Sequence, residues 1–241
     1  MAVQRLQLRI TLQSDATFGR GDGVAGLVDE EIEHDDRFGL PYLRGRTLKG
    51  LLVEECANIL YALARQGNPA LKVCEQAART LFGSPGSTLA DDGLLHVGHA
   101  QLPAVLRQAI QQDVRGGRLK PAQVLESLTA IRRQTAVDES GAPKRDSLRS
   151  MRVLLRELTL IADLTFADGA TTFGANSTEL ALLAACALGL RRAGTGRNRG
   201  RGRLKDVQVW DASTAPPKNI TLDLFKTFTK LVNPQPTGGG A

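Results

Sequence analysis

The sequence predicts an α+β fold, a ferredoxin-like, RRM-like βαββαβ core interrupted by large insertions. Two-residue apolar alternation recurs in separate segments, and apolar residues at three- and four-residue steps mark two helices. Their order, strand, helix, strand, strand, helix, strand, is that of the split βαβ arrangement. Leu6, Leu8, Ile10 and Leu12 alternate with Gln7, Arg9, Thr11 and Gln13, so a half-buried strand opens the chain. Residues 14–42 lack a sustained period, hold many glycines and have an acidic centre. They read as a functional loop because they are too long for an ordinary connection.

Leu48, Leu51, Leu52, Cys56, Ile59, Leu60 and Leu63 then define the first helix, with Thr47 as its candidate N-cap. A shorter helical piece covers Lys72 to Leu81, and Leu94 to Leu102 is the second strand. Residues 103–150, broken by Gly116, Gly117, Pro121, Gly141 and Pro143, read as a polar insertion of short helices and loops. The third strand is expected to run unbroken from Leu154 to Phe166. Asn176 and Glu179 resemble a capping box ahead of an almost wholly apolar helix, Leu180 to Leu190. Leu204 to Trp210 form the fourth strand, and the proline-bearing tail from Ala212 onward is expected to be frayed or interfacial.

Composition narrows the function classes. The chain has 241 residues, is 42% hydrophobic and carries a formal net charge of +6, a balance that attracts polyanions. Aromatic residues make up only 4%, which argues against a surface that works mainly by stacking bases. Cys56, Cys74 and Cys186 have no metal-ligand spacing and read as buried thiols of a reducing compartment. The N-terminal segment is too polar for a signal peptide, and no apolar run reaches the ~18 residues of a membrane span. A cytoplasmic protein without membrane contact is the expectation.

The charge is concentrated in one place. Arg191, Arg192, Arg197, Arg199, Arg201, Arg203 and Lys205 fall within a stretch that contains no acid. Within residues 194–203, four glycines alternate with arginines between a buried helix and a strand. Glycines let backbone amides approach an anion, and guanidinium forks suit phosphate oxygens. The loop follows a helix rather than a strand and lacks the lysine of a nucleotide P-loop. A sequence-independent phosphate cradle is the reading, and RNA the expected polyanion.

Four segments resemble, in order, the repeat-associated mysterious protein (RAMP) superfamily, and within it the backbone subunits of type III CRISPR effector complexes. They are GLPYLRGRTLKGLL from Gly39, LFGSPGS with GLLHVGHAQL from Leu81, TAVDESGAPKRDSLR from Thr135, and RRAGTGRNRGRGRLK from Arg191. The resemblance implies one RAMP domain over residues 1–241, with a palm, a thumb-like insertion at 103–150 and a glycine-rich loop at 194–203. It implies partners too: a CRISPR guide RNA, complementary target RNA and neighbouring subunits that are copies or homologues of the chain. Arg44, Arg46 and Lys49 of the first-helix segment and Arg197, Arg199, Arg201 and Arg203 of the loop would grip RNA backbone. Arg132 and Arg133, with Lys144, Arg145 and Arg149, would form either a duplex-facing thumb or a solvated face.

Members that cut target RNA carry an aspartate upstream of the GLP segment, and Val28–Asp29 stands where that pair would be. By resemblance Asp29 is the catalytic candidate and the ligand of Mg²⁺ or another divalent cation, within an acidic loop at 14–42. The chain departs from the pattern where Glu30 and Glu31 replace small residues, Arg46–Thr47 replaces paired serines, and His99–Ala100 replaces Asp–Ala. A carboxylate in the run Asp29, Glu30, Glu31, Glu33, Asp35, Asp36 could recruit a divalent cation beside a phosphate, but from the residues alone a solvated loop or a contact with a basic neighbour is the preferred reading. His34 is a possible general base, whereas His96 and His99 would point to opposite faces of a strand and are expected to be structural. Three functions follow: a guide-binding subunit that cleaves target RNA, a purely structural backbone subunit, or a metal-independent endonuclease that processes guide RNA.

Overall fold

The structure, a computed structural model, describes residues 2–3, 5–84, 93–136, 138–144, 147–166, 173–174 and 176–233. Arg145, the loop at 85–92 and the last two prolines, Pro234 and Pro236, lie outside the described residues. In chain order the strands are β1 (Ala2–Val3), β2 (Leu6–Leu12), β3 (His34–Asp35), β4 (Leu40–Leu43), β5 (Leu95–Val97) and β6 (Ala100–Gln101). They continue with β7 (Thr129–Gln134), β8 (Arg149–Leu154), β9 (Thr159–Phe166), β10 (Phe173–Gly174), β11 (Leu204–Asp211) and β12 (Lys218–Asn219). The helices are α1 (Gly45–Arg65), α2 (Leu71–Phe82), α3 (Ala104–Arg115), α4 (Pro121–Leu128), α5 (Thr178–Gly189) and α6 (Thr221–Val232).

The main sheet runs β12-β11-β2-β9-β6-β4-β3, with β5 also pairing β9, and its pairs are antiparallel. The first, third and fourth core strands are β2, β9 and β11, and β5 with β6 forms the second. The central order is therefore fourth, first, third, second, with α1 and α5 as the crossovers: the ferredoxin-like arrangement. Alternation positions the core. Leu6, Leu8, Ile10 and Leu12 are buried while the residues between them are half-buried. Each leucine removed from water in this way contributes about 1.5–3 kcal/mol. Helix α5 packs against α1, α2, α6 and β11, which explains why apolar residues surround it. Cys56, Cys74 and Cys186 are all buried in this core.

Five expectations change. The third strand is two elements, because β8 leaves the sheet to pair with β7. The chain turns at Arg156–Glu157, where Glu157 takes φ 71, before β9 begins. The second strand is likewise split at Gly98, whose neighbour Asp163 on β9 would lie 3.2 Å from any Cβ there. Helix α1 starts at Gly45, so Thr47 lies inside its first turn; the first amide is met by His99, whose Nδ1 accepts from Gly45 N–H at 3.0 Å. Helix α5 is capped by Ser177, not Asn176, since its hydroxyl accepts from Leu180 N–H at 3.2 Å. Up to Asn233 the tail is folded: α6 buries Leu224 and Phe228 and packs on α5, and residues 234–241 lie outside the described residues.

Residues 14–42 also have more structure than a loop. Thr17, Ile32, Glu31 and Glu33 are buried, Gly19 bridges Ile32, and β3 pairs with β4. The insertion at 103–150 contains α3, α4 and β7, and β8 closes it as a two-stranded ribbon.

Candidate nucleic-acid interface

The glycine-rich loop leaves α5 and is closed at its neck by main-chain bonds. Leu204 N–H donates to Arg191 O at 3.0 Å and Ala193 N–H to Gly202 O at 2.9 Å. Its tip docks on residues 15–17, with Thr195 N–H donating to Thr17 O at 2.9 Å and Gly202 N–H to Asp15 O at 2.8 Å. Two glycines are required by these approaches. A Cβ at Gly202 would lie 1.9 Å from Ala193 O, and one at Gly194 would lie 2.4 Å from Thr17 O. Both also have positive φ, +64 and +88. Between them Arg197–Arg199 form one 3₁₀ turn flanked by left-handed Gly196 and Gly200. The backbone is thus fixed by the core, and Arg199 and Arg203 are exposed.

Two clefts border this loop. The larger, about 670 Å³, lies between the loop, the turn after β8 and the β7–β8 ribbon; Arg132, Arg133, Arg156 and Arg201 line it. Asp15 organises it. Its Oδ2 accepts from Arg132 Nε and Nη2 at 2.9 and 2.8 Å, and its Oδ1 from Arg156 N–H at 3.2 Å. Arg201 contacts Met151 Sδ and donates to Gln134 Oε1 at 3.3 Å, tying the loop to the ribbon. The smaller cleft, about 230 Å³, joins the loop to the start of α1 through Arg44, Thr47, Thr195 and Arg197.

The structure therefore brings Arg44 and Arg197 together in one cleft, and Arg132, Arg133 and Arg201 in the other. Arg46, Lys49, Arg199 and Arg203 line neither. Arg46, Arg199 and Arg203 are exposed, Lys49 is half-buried, and none of the four is ion-paired among the described residues. Arg44 is held by Glu33, 2.6 Å away, and Arg197 by Glu54, 3.2 Å away. Arg156 and Asp15 are cleft residues that sequence reasoning missed. Their signal was faint, since Arg156 interrupts what reads as one continuous strand.

The acidic run divides. Glu31 is buried and receives Arg152 Nε at 2.8 and 3.0 Å, while Arg152 also reaches Thr129 Oγ1. Glu33 is buried and accepts from Tyr42 OH at 3.0 Å. His34 is engaged at both ring nitrogens, by Ile32 O at 3.0 Å and Asp36 at 3.2 Å. Asp36 is exposed and among the described residues meets only His34, whereas Asp29 combines exposure with two hydrogen bonds to one carboxylate oxygen. Its Oδ2 accepts from Ser150 N–H at 2.6 Å and from Ser150 Oγ at 3.1 Å. The Ser150 amide, then its hydroxyl, hold the Asp29 carboxyl below the usual range, so it is ionised at neutral pH.

Asp29 lines neither cleft, but it is one strand removed from the larger one. Ser150 sits opposite Arg133 in the β7–β8 ribbon. As a cation site the arrangement is sparse. Among the described residues no three His, Cys, Asp or Glu side chains converge, so Asp29 offers a single carboxylate. That fits a hydrated Mg²⁺ completed by substrate phosphates rather than a protein cage.

A ferredoxin-like sheet, an inserted two-stranded ribbon and arginine clefts around the loop after the second crossover helix define a basic, ribbon-bearing domain of the ferredoxin-like class. The RAMP superfamily profile matches residues 9–205, and the chain belongs to that superfamily. It is similar to a chain of the type III-B Cmr-beta cryo-EM structure in the apo state, with 11% identity and a TM-score of 0.56, over 85% of this chain and 96% of that one. A chain of the type III-B Cmr-beta structure bound to cognate target RNA gives 10% identity and a TM-score of 0.56, over 93% and 99%. At such identities the likeness is one of fold. No curated protein matches the sequence. Among the described residues no helix is long and apolar enough to cross a membrane.

Proposed function

We propose that the chain is a guide-RNA-binding backbone subunit of a type III CRISPR ribonucleoprotein and that it cleaves complementary target RNA at Asp29. The observation that carries the reading is the convergence of two arginine-lined clefts on one rigid glycine loop. Guanidinium groups on fixed backbone suit phosphates spaced along a strand, and they read no base. Arg44 and Arg197 would take one phosphate, and Arg201, Arg133 and Arg156 others, as the strand passes around the loop. The β7–β8 ribbon, as a thumb, then presents Asp29 beside the paired target.

Asp29 Oδ1 accepts no hydrogen bond among the described residues, which leaves that oxygen for a divalent cation. When bound, the cation supplies charge stabilisation as a 2′-hydroxyl attacks the adjacent phosphate, leaving a 2′,3′-cyclic phosphate and a 5′-hydroxyl. Ionised Asp29 holds its position through Ser150, and the arginines hold the strand in line. His34 is spent on Ile32 and Asp36, and His99 caps α1, which disfavours metal-independent processing of guide RNA.

The sparse ligand set favours one second reading, a backbone subunit that binds guide RNA without cutting. The assembled complex, given labelled complementary RNA and Mg²⁺, separates them. Asp29→Ala should lower cleavage by about 100-fold or more with target binding intact, the scale of losing one charge-stabilising group. Cleavage equal to the parent's at every site would leave the structural reading standing. Chelation of the metal should abolish cutting in the parent.

A further inference from the structure

We propose that Ser150 is a positioning residue for Asp29, and the proposal rests on the catalytic reading of that aspartate. Asp29 follows a tight exposed turn in which Val28 N–H bonds to Val24 O at 3.0 Å. A short carboxylate at such a place would ordinarily exchange rotamers in solvent. Ser150 prevents this from several sides. Its carbonyl accepts from Asp29 N–H at 2.9 Å, its amide donates to Asp29 Oδ2 at 2.6 Å, and its hydroxyl donates to the same oxygen at 3.1 Å. Backbone and side chain of the aspartate are thus fixed by one residue.

Both donors converge on Oδ2, so the carboxylate is oriented with Oδ1 outward. Bonds to an ionised acceptor are stronger than neutral ones, and two on one oxygen define its direction. Ser150 itself is held by the ribbon, opposite Arg133 of the larger cleft. The next residues extend the anchorage: Arg152 N–H donates to Glu30 O at 3.0 Å, and the Arg152 side chain pairs with buried Glu31. The serine hydroxyl is the replaceable part of this anchor, since its amide belongs to the main chain. Removing a partner that orients a metal-binding carboxylate typically costs about 10- to 100-fold in metal affinity or activity.

The test uses the assembled complex with Ser150→Ala, Ser150→Thr and Asp29→Ala. Ser150→Ala should lower cleavage at limiting Mg²⁺ by about 10- to 100-fold, the usual effect of removing such an orienting partner. Its Mg²⁺ requirement should rise, and guide and target binding should match the parent. Ser150→Thr keeps the hydroxyl and should restore cleavage. Binding of Mn²⁺, followed by electron paramagnetic resonance on complexes holding a target with a 2′-deoxy scissile nucleotide, should weaken in Ser150→Ala and recover in Ser150→Thr. Parent-like metal binding and cleavage in Ser150→Ala, beside a dead Asp29→Ala, would overturn the role of Ser150 and leave Asp29 catalytic. Loss of guide binding in Ser150→Ala would also overturn it, by showing that the hydroxyl supports the ribbon. Full cleavage in Asp29→Ala would remove the catalytic reading itself.

Discussion

The glycine-rich loop and the acidic segment are two charged stretches gripping the same β7–β8 ribbon, and they spend their charge in opposite ways. In the loop, glycines make the close approaches to the core, Arg199 and Arg203 are left exposed, and only Arg197 is ion-paired among the described residues, while Arg201 reaches the ribbon. In the acidic segment, carboxylates make the contacts: Glu31 and Glu33 are buried against Arg152 and Arg44. Two of the six acids are thus withdrawn into the core, while Asp29 stays exposed and is fixed by Ser150. Charge density along a sequence is a poor guide to charge offered to a ligand. What separates the two is whether some other group can do the anchoring.

The comparison is sharpest where a buried acid loses its partner. Arg152→Ala leaves Glu31 buried and unpaired and should cost about 3–5 kcal/mol, read as a fall in the denaturant midpoint. Replacing both partners by apolar residues of similar volume should recover most of that loss, because a desolvated pair is rarely worth more than good packing. The loop should answer instead to its glycines. Gly202→Ala combines a backbone clash with positive φ and should cost about 1–3 kcal/mol. Gly200→Ala has open space around the new methyl and should cost only the left-handed penalty, about 1 kcal/mol.

Changing Arg197, Arg199 and Arg201 together to Ala should leave the midpoint nearly unchanged. It should flatten the salt dependence of RNA binding by about 2, from roughly 0.7 per phosphate contact on a single strand. A triple variant with the parent's salt slope would break the division of labour between the two regions. The smallest effect concerns Glu54, whose exposed pairing with Arg197 competes with phosphate. Glu54→Gln should tighten RNA binding slightly, by less than about 1 kcal/mol, as for other surface pairs. Asp29 gives a pH test with a definite sign. Its folded carboxyl titrates below the ordinary range, so its stabilising contribution is present above the unfolded value and is lost as pH falls through the folded one. Asp29→Asn should therefore flatten the acid end of the stability profile.

Much of the core is legible because alternation is a direct imprint of burial. Leu6 to Leu12 and Leu204 to Trp210 read as strands and pair as strands. The reading fails where tertiary contacts override local pattern. Leu154 and Leu158 keep the alternating phase, yet Arg156 and Glu157 turn the chain between them, and nothing local announces that β8 has a different partner. The acidic segment is opaque for the same reason, since the burial of Glu31 depends on Arg152, 121 positions away. The backbone of the glycine loop is legible because its signal is local, glycines where the chain needs positive φ, while its docking on Asp15 and Thr17 is not. The role of Asp15 is invisible, because one aspartate near a strand end has no pattern to match.

The docking of that loop has a consequence for how the protein comes into being. Arg203 N–H meets Ser14 Oγ across a separation of 189 positions, and Gly202 N–H meets Asp15 O beside it. Both clefts therefore need the two ends of the core at once, and they exist only after β11 has paired with β2. Contacts this distant in sequence are slow to form, because their loop-closure entropy is lost before they gain anything. During synthesis the ribbon and its arginines emerge well before the loop that completes their cleft. A growing chain thus passes through most of its length as an incomplete receptor, and the competence to hold a strand arrives in one step with the final core strand.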